Sequence, residues 1–179
     1  MKLLKEFTIP FVGLKLGEHH FDYKITIEFF KHFGYEDFSD AEVSVDVVLE
    51  KKTTLLELHF KISGSVNVNC DLTNEPYDQE IKNKFDLVVN FGDAYNDENI
   101  DILVIPHGDY EINIQQYIYE LIVLAVPSKR VHPGVKDGTL NSDILNKLKE
   151  LSPKFEQENT VKEEIDPRWN TLKKLLTDK

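Results

Sequence analysis

His107, Asp109 and Glu111 are the residues whose types and spacing come nearest to a chemical site. They are spaced by two, so a strand would place them on one face. There an imidazole and two carboxylates could bind a divalent metal ion. However, Pro106-His107-Gly108-Asp109 has the composition of a polar turn. We favour the turn and predict no metal site and no cofactor.

A second acidic group, Asp93, Asp97, Glu98 and Asp101, lies in an Asn-rich stretch that suggests calcium ligands. The calcium loop of an EF-hand requires ligands at alternate positions and a central glycine. The central glycine is missing from this stretch, so we predict a solvated loop.

Two further residues could be reactive if they were buried. Glu120 lies in an apolar helical pattern, and a buried carboxylate can act as a general acid or base. Exposure at a helix edge, or pairing with Lys129 or Arg130, explains it better. Cys70, the single cysteine of the chain, falls on the apolar side of a strand pattern. We expect it to be a small core residue.

The chain carries none of the common sequence motifs of catalysis. It has no Gly-rich phosphate loop, no Gly-x-Ser-x-Gly and no His-Glu-x-x-His. We therefore expect a protein that is not an enzyme.

The 179 residues include 32 Asp and Glu against 21 Lys and Arg, a formal net charge of -11. This balance disfavours broad, sequence-independent binding to phosphates, which requires clustered Lys and Arg, and we expect no DNA partner. The most apolar run, 118–126, is far shorter than the ~20 residues that span a bilayer. We expect a cytoplasmic protein that does not enter membranes.

Charge is unevenly distributed along the chain, and no Lys or Arg occurs between Phe85 and Ser128. A solubilising face would explain the acidic residues there. Alternatively they form a surface for a basic partner, whose association such a field would accelerate. The candidate residues of this acidic face are Asp93, Asp97, Glu98, Asp101, Asp109 and Glu111. The candidate contacts for a partner that carries phosphates lie in two locally basic segments and are Lys129, Arg130, His132, Arg168 and Trp169.

Alternating apolar residues predict four antiparallel strands, at 43–49, 56–62, 66–70 and 85–91. Matching apolar faces pairs Phe60 with Val68 across a loop at Ser63-Gly64-Ser65. The same matching pairs Leu49 with Leu56 and Val47 with Leu58, with a turn near 52–53. Upstream we predict strands at 7–11 and 21–27, the first an edge strand because of its proline. Residues 27–33 either continue the second strand or form a helix closed by a glycine.

Downstream the spacing becomes helical, which predicts a buried helix at 113–126 with Asn113 as its N-cap. The fold class is α+β, an antiparallel β meander or partly closed barrel packed on this helix, with peripheral C-terminal helices. We divide the chain into a β-rich core (1–138), a peripheral helix (139–151), a flexible linker (152–165) and a terminal helix (166–179). The terminal helix begins at Asp166-Pro167.

Four ordered motifs make the chain resemble the YceD family of large-subunit ribosomal RNA accumulation proteins, in a form typical of Bacteroidetes. The motifs are Ile9-Pro10-Phe11-Val12-Gly13-Leu14 with the His-Phe-Asp-Tyr run at 20–23, Cys70-Asp71-Leu72-Thr73, Tyr117–Ile122 with Arg130-Val131-His132-Pro133, and Asp166-Pro167-Arg168-Trp169. Many members have a second cysteine where Thr73 stands here. A thiolate zinc site normally takes four Cys or His ligands, so we predict none.

The resemblance implies a non-enzymatic protein that supports accumulation or processing of large-subunit (23S) ribosomal RNA and ribosome assembly by binding. Its partner would be the pre-ribosomal large subunit, through ribosomal RNA or a basic ribosomal protein. The alternative is a protein-interaction module unrelated to ribosomes, which uses the acidic face or the C-terminal amphipathic helix.

Overall fold

A computed structural model of the protein describes residues 4–140 and 143–151. The chain divides into two units, residues 1–142 and residues 143–179. The second unit, as far as it is described, is the helix α4 (Asp143–Leu151), whose first turn carries Asp143. An acidic residue at that end complements the helix dipole. The predicted linker at 152–165 and the predicted helix at 166–179 lie outside the described residues.

The first unit begins with a single 3-10 turn, Lys5–Phe7, and then contains strands and helices. The strands are β1 (Thr8–Pro10), β2 (Gly17–Thr26), β3 (Asp40–Lys51), β4 (Leu55–Asn69), β5 (Pro76–Gly92), β6 (Ile102–Pro106) and β7 (Glu111–Asn113). The helices are α1 (Ile27–Phe33), α2 (Gln115–Ala125) and α3 (Pro133–Lys136).

The main sheet has five strands in the order β2-β3-β4-β5-β6. The first four form an antiparallel meander, and β6 runs parallel to β5. The predicted α+β meander is confirmed, and the sheet remains open instead of closing into a barrel. Its buried face consists of alternating apolar residues, including Val45, Leu58, Ile62 and Leu87. The strands β1 and β7 form a separate two-stranded sheet.

The predicted hairpin at Ser63-Gly64-Ser65 is wrong, because β4 continues through these residues as one strand. Phe60 pairs with Val47 on one side and Phe85 on the other, and not with Val68. A three-residue loop and a continuous strand keep the same alternation, so the apolar pattern could not separate them. The two strands predicted at 56–62 and 66–70 are therefore one.

The predicted register of β3 against β4 is also wrong, by two residues. Leu49 pairs with Leu58 and not with Leu56, and Val47 pairs with Phe60 and not with Leu58. A shift of two residues leaves every side chain on its own face, so burial of the apolar set permits either register. The connection at 52–54 lies close to the predicted turn.

Of the two alternatives left open for residues 27–33, the structure has the helix closed by a glycine. The strand β2 ends at Thr26, and α1 follows and ends at Gly34, whose φ of 70° is the left-handed conformation that favours glycine at this position. The predicted edge strand with Pro10 is β1. α2 starts slightly later than predicted, with Ile114 at its N-cap, although Asn113 Oδ1 still accepts a hydrogen bond from the Gln115 N–H (3.1 Å).

The buried face of the sheet is covered by α2, as its apolar pattern predicts. Ile118 and Ile122 are fully buried in the hydrophobic core. The Tyr117 ring packs on Phe60 and Phe85, with a centroid separation of 6.2 Å in each case. This packing places one side of α2 beside β5, β6 and β7, where a cleft opens.

Candidate functional site

A cleft of about 710 Å³ runs between α2, β5, β6, β7 and the loop after β5. We call it the acidic cleft, because Asp97, Asp109, Glu111 and Glu120 line it. Lys84 is the one basic residue among its lining residues. The cleft therefore concentrates negative charge that is separated along the sequence by as much as 23 residues.

The structure brings together three of the six residues predicted for the acidic face. Asp97, Asp109 and Glu111 line the acidic cleft. Glu98 and Asp101 line a separate shallow depression, and Asp93 lies outside the lining of both. Half of the residues predicted for the acidic face thus lie on one concave surface.

Glu120 was not among those six residues, yet it belongs to the same cleft. Its carboxylate accepts a hydrogen bond from Gln116 Nε2 (2.6 Å), one helical turn earlier. Arg130, a predicted ion-pair partner of Glu120, instead lies 3.4 Å from Asp71. Glu120 therefore contributes charge to the cleft without a basic neighbour on its own helix.

The tyrosines of the cleft are affected by burial and by this negative charge. Burial, together with Tyr95, Asp97 and Glu120, raises the pKa of Tyr117 to about 12. Burial and Asp97 also raise the pKa of Tyr95, whose hydroxyl donates to the Asp97 carboxylate (3.2 Å). Both phenols are neutral near pH 7 and can act as hydrogen-bond donors.

Apolar residues alternate with the acidic ones around the cleft. Ile105, Ile112 and Leu121 are buried and line its floor, whereas Ile100 and Leu124 are 81% and 78% exposed. An exposed apolar surface with an acidic rim fits a partner segment that carries both basic and apolar side chains. The site residues Tyr95, Tyr117 and Leu124 were not predicted, because the exposure of Leu124 on the most apolar helix is visible only in the structure.

His107 does not join Asp109 and Glu111 in the acidic cleft. Its ring stacks near Phe91, with a centroid separation of 6.5 Å. The Asp109 N–H donates to the Pro106 carbonyl (3.0 Å), which confirms the predicted polar turn between β6 and β7. The predicted alternative, a metal site on one strand face, has no strand to support it.

A different group of possible metal ligands comes together on the sheet, which sequence analysis missed. Glu50, Glu57 and His59 lie within reach of one another. Their charges already have partners, because Lys52 Nζ lies 2.6 Å from Glu57 and 3.5 Å from Glu50. His59 Nδ1 lies 2.7 Å from the Asp86 carboxylate. The group is thus part of an exposed ion-pair network.

The predicted basic segment is attached to the connection between β4 and β5. The Asp71 carboxylate accepts a hydrogen bond from the Arg130 N–H (2.7 Å), and the Asp71 N–H donates to the Arg130 carbonyl (2.8 Å). The His132 N–H donates to Cys70 Sγ (3.3 Å), and His132 packs against Tyr77. We call this set of contacts the clasp. Lys129 is exposed, while Arg168 and Trp169 lie outside the described residues.

Cys70 is buried, as predicted, but its thiol is also polarised by the clasp. Burial alone raises the pKa of this thiol. Hydrogen bonds from the N–H groups of His132, Leu72 and Thr73 and from the Thr73 hydroxyl act in the opposite direction, and the net pKa lies below its ordinary value. The position where a second cysteine would stand is therefore taken by a hydroxyl that donates to Cys70.

Comparison with known families shows to which family this chain belongs. The model of the family described as Large ribosomal RNA subunit accumulation protein YceD matches residues 58–176, about two thirds of the sequence. The chain belongs to the YceD family. No curated protein and no solved structure matches it.

The YceD match contains every structural feature of the candidate site. It begins within β4 and continues through the acidic cleft and the clasp. The strands β1, β2 and β3 precede it. Within the part of the chain that the structure describes, no helix is long and apolar enough to cross a membrane.

Proposed function

We propose that this YceD-family protein is a non-enzymatic binding factor that supports accumulation or processing of large-subunit (23S) ribosomal RNA during ribosome assembly in the cytoplasm. The family supplies the process, because its description is Large ribosomal RNA subunit accumulation protein. The acidic cleft supplies the mode of action, because its chemistry favours a basic protein segment.

The observation that carries the proposal is the juxtaposition of four carboxylates and an apolar floor in one cleft. Proteins that bind ribosomal RNA present clustered Lys and Arg to its phosphates. Before they reach RNA, those basic segments can bind a surface of opposite charge, which accelerates association and selects the partner. We infer that the acidic cleft binds a basic segment of a large-subunit ribosomal protein.

The composition of the cleft favours binding over catalysis. Its described lining contains no His, Cys, Ser or Thr, so no Ser–His or Cys–His pair is assembled there. The Tyr117 hydroxyl has a pKa of about 12 and is neutral near pH 7. The Glu120 carboxylate accepts a hydrogen bond from the Gln116 amide. These groups can hold a ligand by hydrogen bonds and charge, and an enzymatic role is not part of the proposal.

The test is deletion of the gene followed by measurement of the ratio of large-subunit to small-subunit ribosomal RNA. The proposal expects a lower ratio, restored by the wild-type chain. An unchanged ratio in the deletion strain would contradict it. Capture of one non-ribosomal protein, unchanged by RNase, would favour the alternative of an interaction module outside ribosome assembly.

A further inference from the structure

The outward face of the sheet carries a small basic surface that no sequence motif indicates. Lys61 on β4 lies directly opposite Lys84 on β5, and Lys82 lies opposite Ser63 in the neighbouring row. All three lysines are exposed. We call them the lysine patch.

The like charges of Lys61 and Lys84 are an unusual choice for a cross-strand pair. Like charges directly opposite each other destabilise a sheet. No ion pair of Lys61, Lys82 or Lys84 occurs among the described residues. The chain has a net charge of -11, so three neighbouring lysines that form no ion pair depart strongly from its average composition.

Three acidic residues lie around the lysine patch. Asp46 on β3 lies opposite Lys61, and Glu80 and Asp86 flank the two lysines of β5. Asp86 is bonded to His59 (2.7 Å). Among the described residues, neither Asp46 nor Glu80 forms an ion pair with a lysine of the patch.

Protection of a sheet edge explains only part of this arrangement. β6 pairs with Val88–Gly92, so within the described structure the preceding residues of β5 form an edge. Edge strands commonly carry lysines that prevent association with other strands. This accounts for Lys82 and Lys84, but Lys61 lies on β4, which is paired on both sides.

The surface between these lysines is concave. Lys61, Ile62, Ser63, Lys82, Asn83 and Lys84 line a depression of about 640 Å³. Three ammonium groups and a hydroxyl around one depression match consecutive phosphates of a nucleic acid backbone. Neighbouring strands are ~4.8 Å apart and alternate residues of a strand ~6.8 Å apart, which is the scale of phosphate spacing.

We propose that the lysine patch, Lys61, Lys82 and Lys84 with Ser63, binds the phosphate backbone of RNA independently of sequence. The identity of the nucleic acid as RNA rests on the proposed function. The acidic cleft and the lysine patch would then contact a protein and an RNA, respectively, at adjoining surfaces that share Lys84.

The test measures binding of the purified full chain to a fluorescently labelled RNA hairpin by anisotropy at low and moderate salt. The patch variant combines Lys61→Glu, Lys82→Glu and Lys84→Glu. The control variant combines Lys5→Glu, Lys15→Glu and Lys31→Glu, which changes the net charge equally at exposed lysines outside the strands. Because both variants repel RNA equally through net charge, their difference isolates the patch.

We expect the patch variant to lose affinity by at least ~10-fold more than the control, and the slope of log affinity against log salt to fall by about 2 to 3. Lys84→Glu alone, which replaces the like-charge pair by an opposite one, should weaken binding while the sheet stays folded.

Equal losses in the two triple variants, or no binding by the wild-type chain, would overturn the inference. Equally tight binding of polyglutamate would overturn it in favour of an acidic protein segment. Since purified components are used, a negative result leaves the measurement of ribosomal RNA levels in the deletion strain as an independent test of the proposed function.

Discussion

At the scale of residues, Gly64 shows how one position determines the path of a strand. A Cβ at Gly64 would collide with the carbonyl oxygen of Glu42 and would lie 2.7 Å from Val43 Cα. The glycine therefore permits β3 and β4 to approach each other closely, and does not mark a turn. A sequence shows that glycine is present, but the reason for it depends on a neighbour 22 residues away.

Gly64→Ala should lower the free energy of unfolding by about 1–3 kcal/mol, because the backbone of β3 must move to accommodate the methyl group. Gly13→Ala is the control, since no heavy atom lies within 4 Å of its added Cβ. Urea denaturation measures the free energy of unfolding of both variants. Equal stability of the two variants would show that β3 and β4 do not pack as described.

Lys84→Glu should raise the free energy of unfolding by about 0.2–1 kcal/mol at low salt, because it converts a like-charge pair with Lys61 into an opposite-charge pair. Lys82 lies opposite Ser63 and not opposite a lysine. The free energy of unfolding should therefore rise less in Lys82→Glu than in Lys84→Glu. Thermal or urea unfolding at two salt concentrations detects the difference. A loss of stability in Lys84→Glu would argue against the register of β4 and β5.

The raised pKa of Tyr117 predicts a loss of stability at high pH. Its pKa is about 12 in the folded chain against an ordinary value of 10.0. The unfolded chain ionises first, so the contribution is complete below pH 10.0 and is lost as the pH rises towards about 12. The free energy of unfolding of Tyr117→Phe should fall less steeply over this pH range than that of the wild-type chain. Tyr110→Phe, at a ring that is 61% exposed, should behave as wild type, and identical curves for all three would refute the burial of Tyr117.

At the scale of elements, apolar alternation predicted which side of each strand is buried but not which residues pair. The assignments at 43–49 and 85–91 fall within β3 and β5, and the helical spacing after Asn113 is confirmed by α2. The register error between β3 and β4 is a shift of two residues, because only odd shifts expose apolar side chains. The polar first half of β5 was missed, since residues such as Gln79 and Asn83 weaken the alternation.

The clasp is the contact by which the segment after α2 joins the β4–β5 connection. Asp71→Ala removes the acceptor of the Arg130 N–H and should cost about 1–3 kcal/mol, mostly as local opening. Hydrogen exchange of residues 128–136 should accelerate, while β3 stays protected. Asp22→Ala, at an exposed position of β2, is the control. Unchanged exchange in Asp71→Ala would mean that the clasp does not hold this segment.

At the scale of the whole molecule, topology separates charges that the sequence mixes. The acidic face could be predicted in part because its residues follow one another in a stretch without Lys or Arg. The lysine patch could not, because Lys61 becomes a neighbour of Lys84 only through the pairing of β4 with β5. The roles suggested for Lys129, Arg168 and Trp169 stay predictions, and Arg130 and His132 are engaged in the clasp.

Binding of a ribosomal protein by the acidic cleft is tested by capture of ribosomal proteins from RNase-treated lysate with the tagged chain. The cleft variant combines Asp97→Asn, Asp109→Asn and Glu111→Gln, and the control combines Glu18→Gln, Asp22→Asn and Glu36→Gln, three exposed acids outside the cleft. We predict that the wild-type chain and the control recover a basic large-subunit ribosomal protein, and that recovery by the cleft variant falls at least ~10-fold. Equal recovery by all three chains would contradict the assignment of the acidic cleft as the binding site.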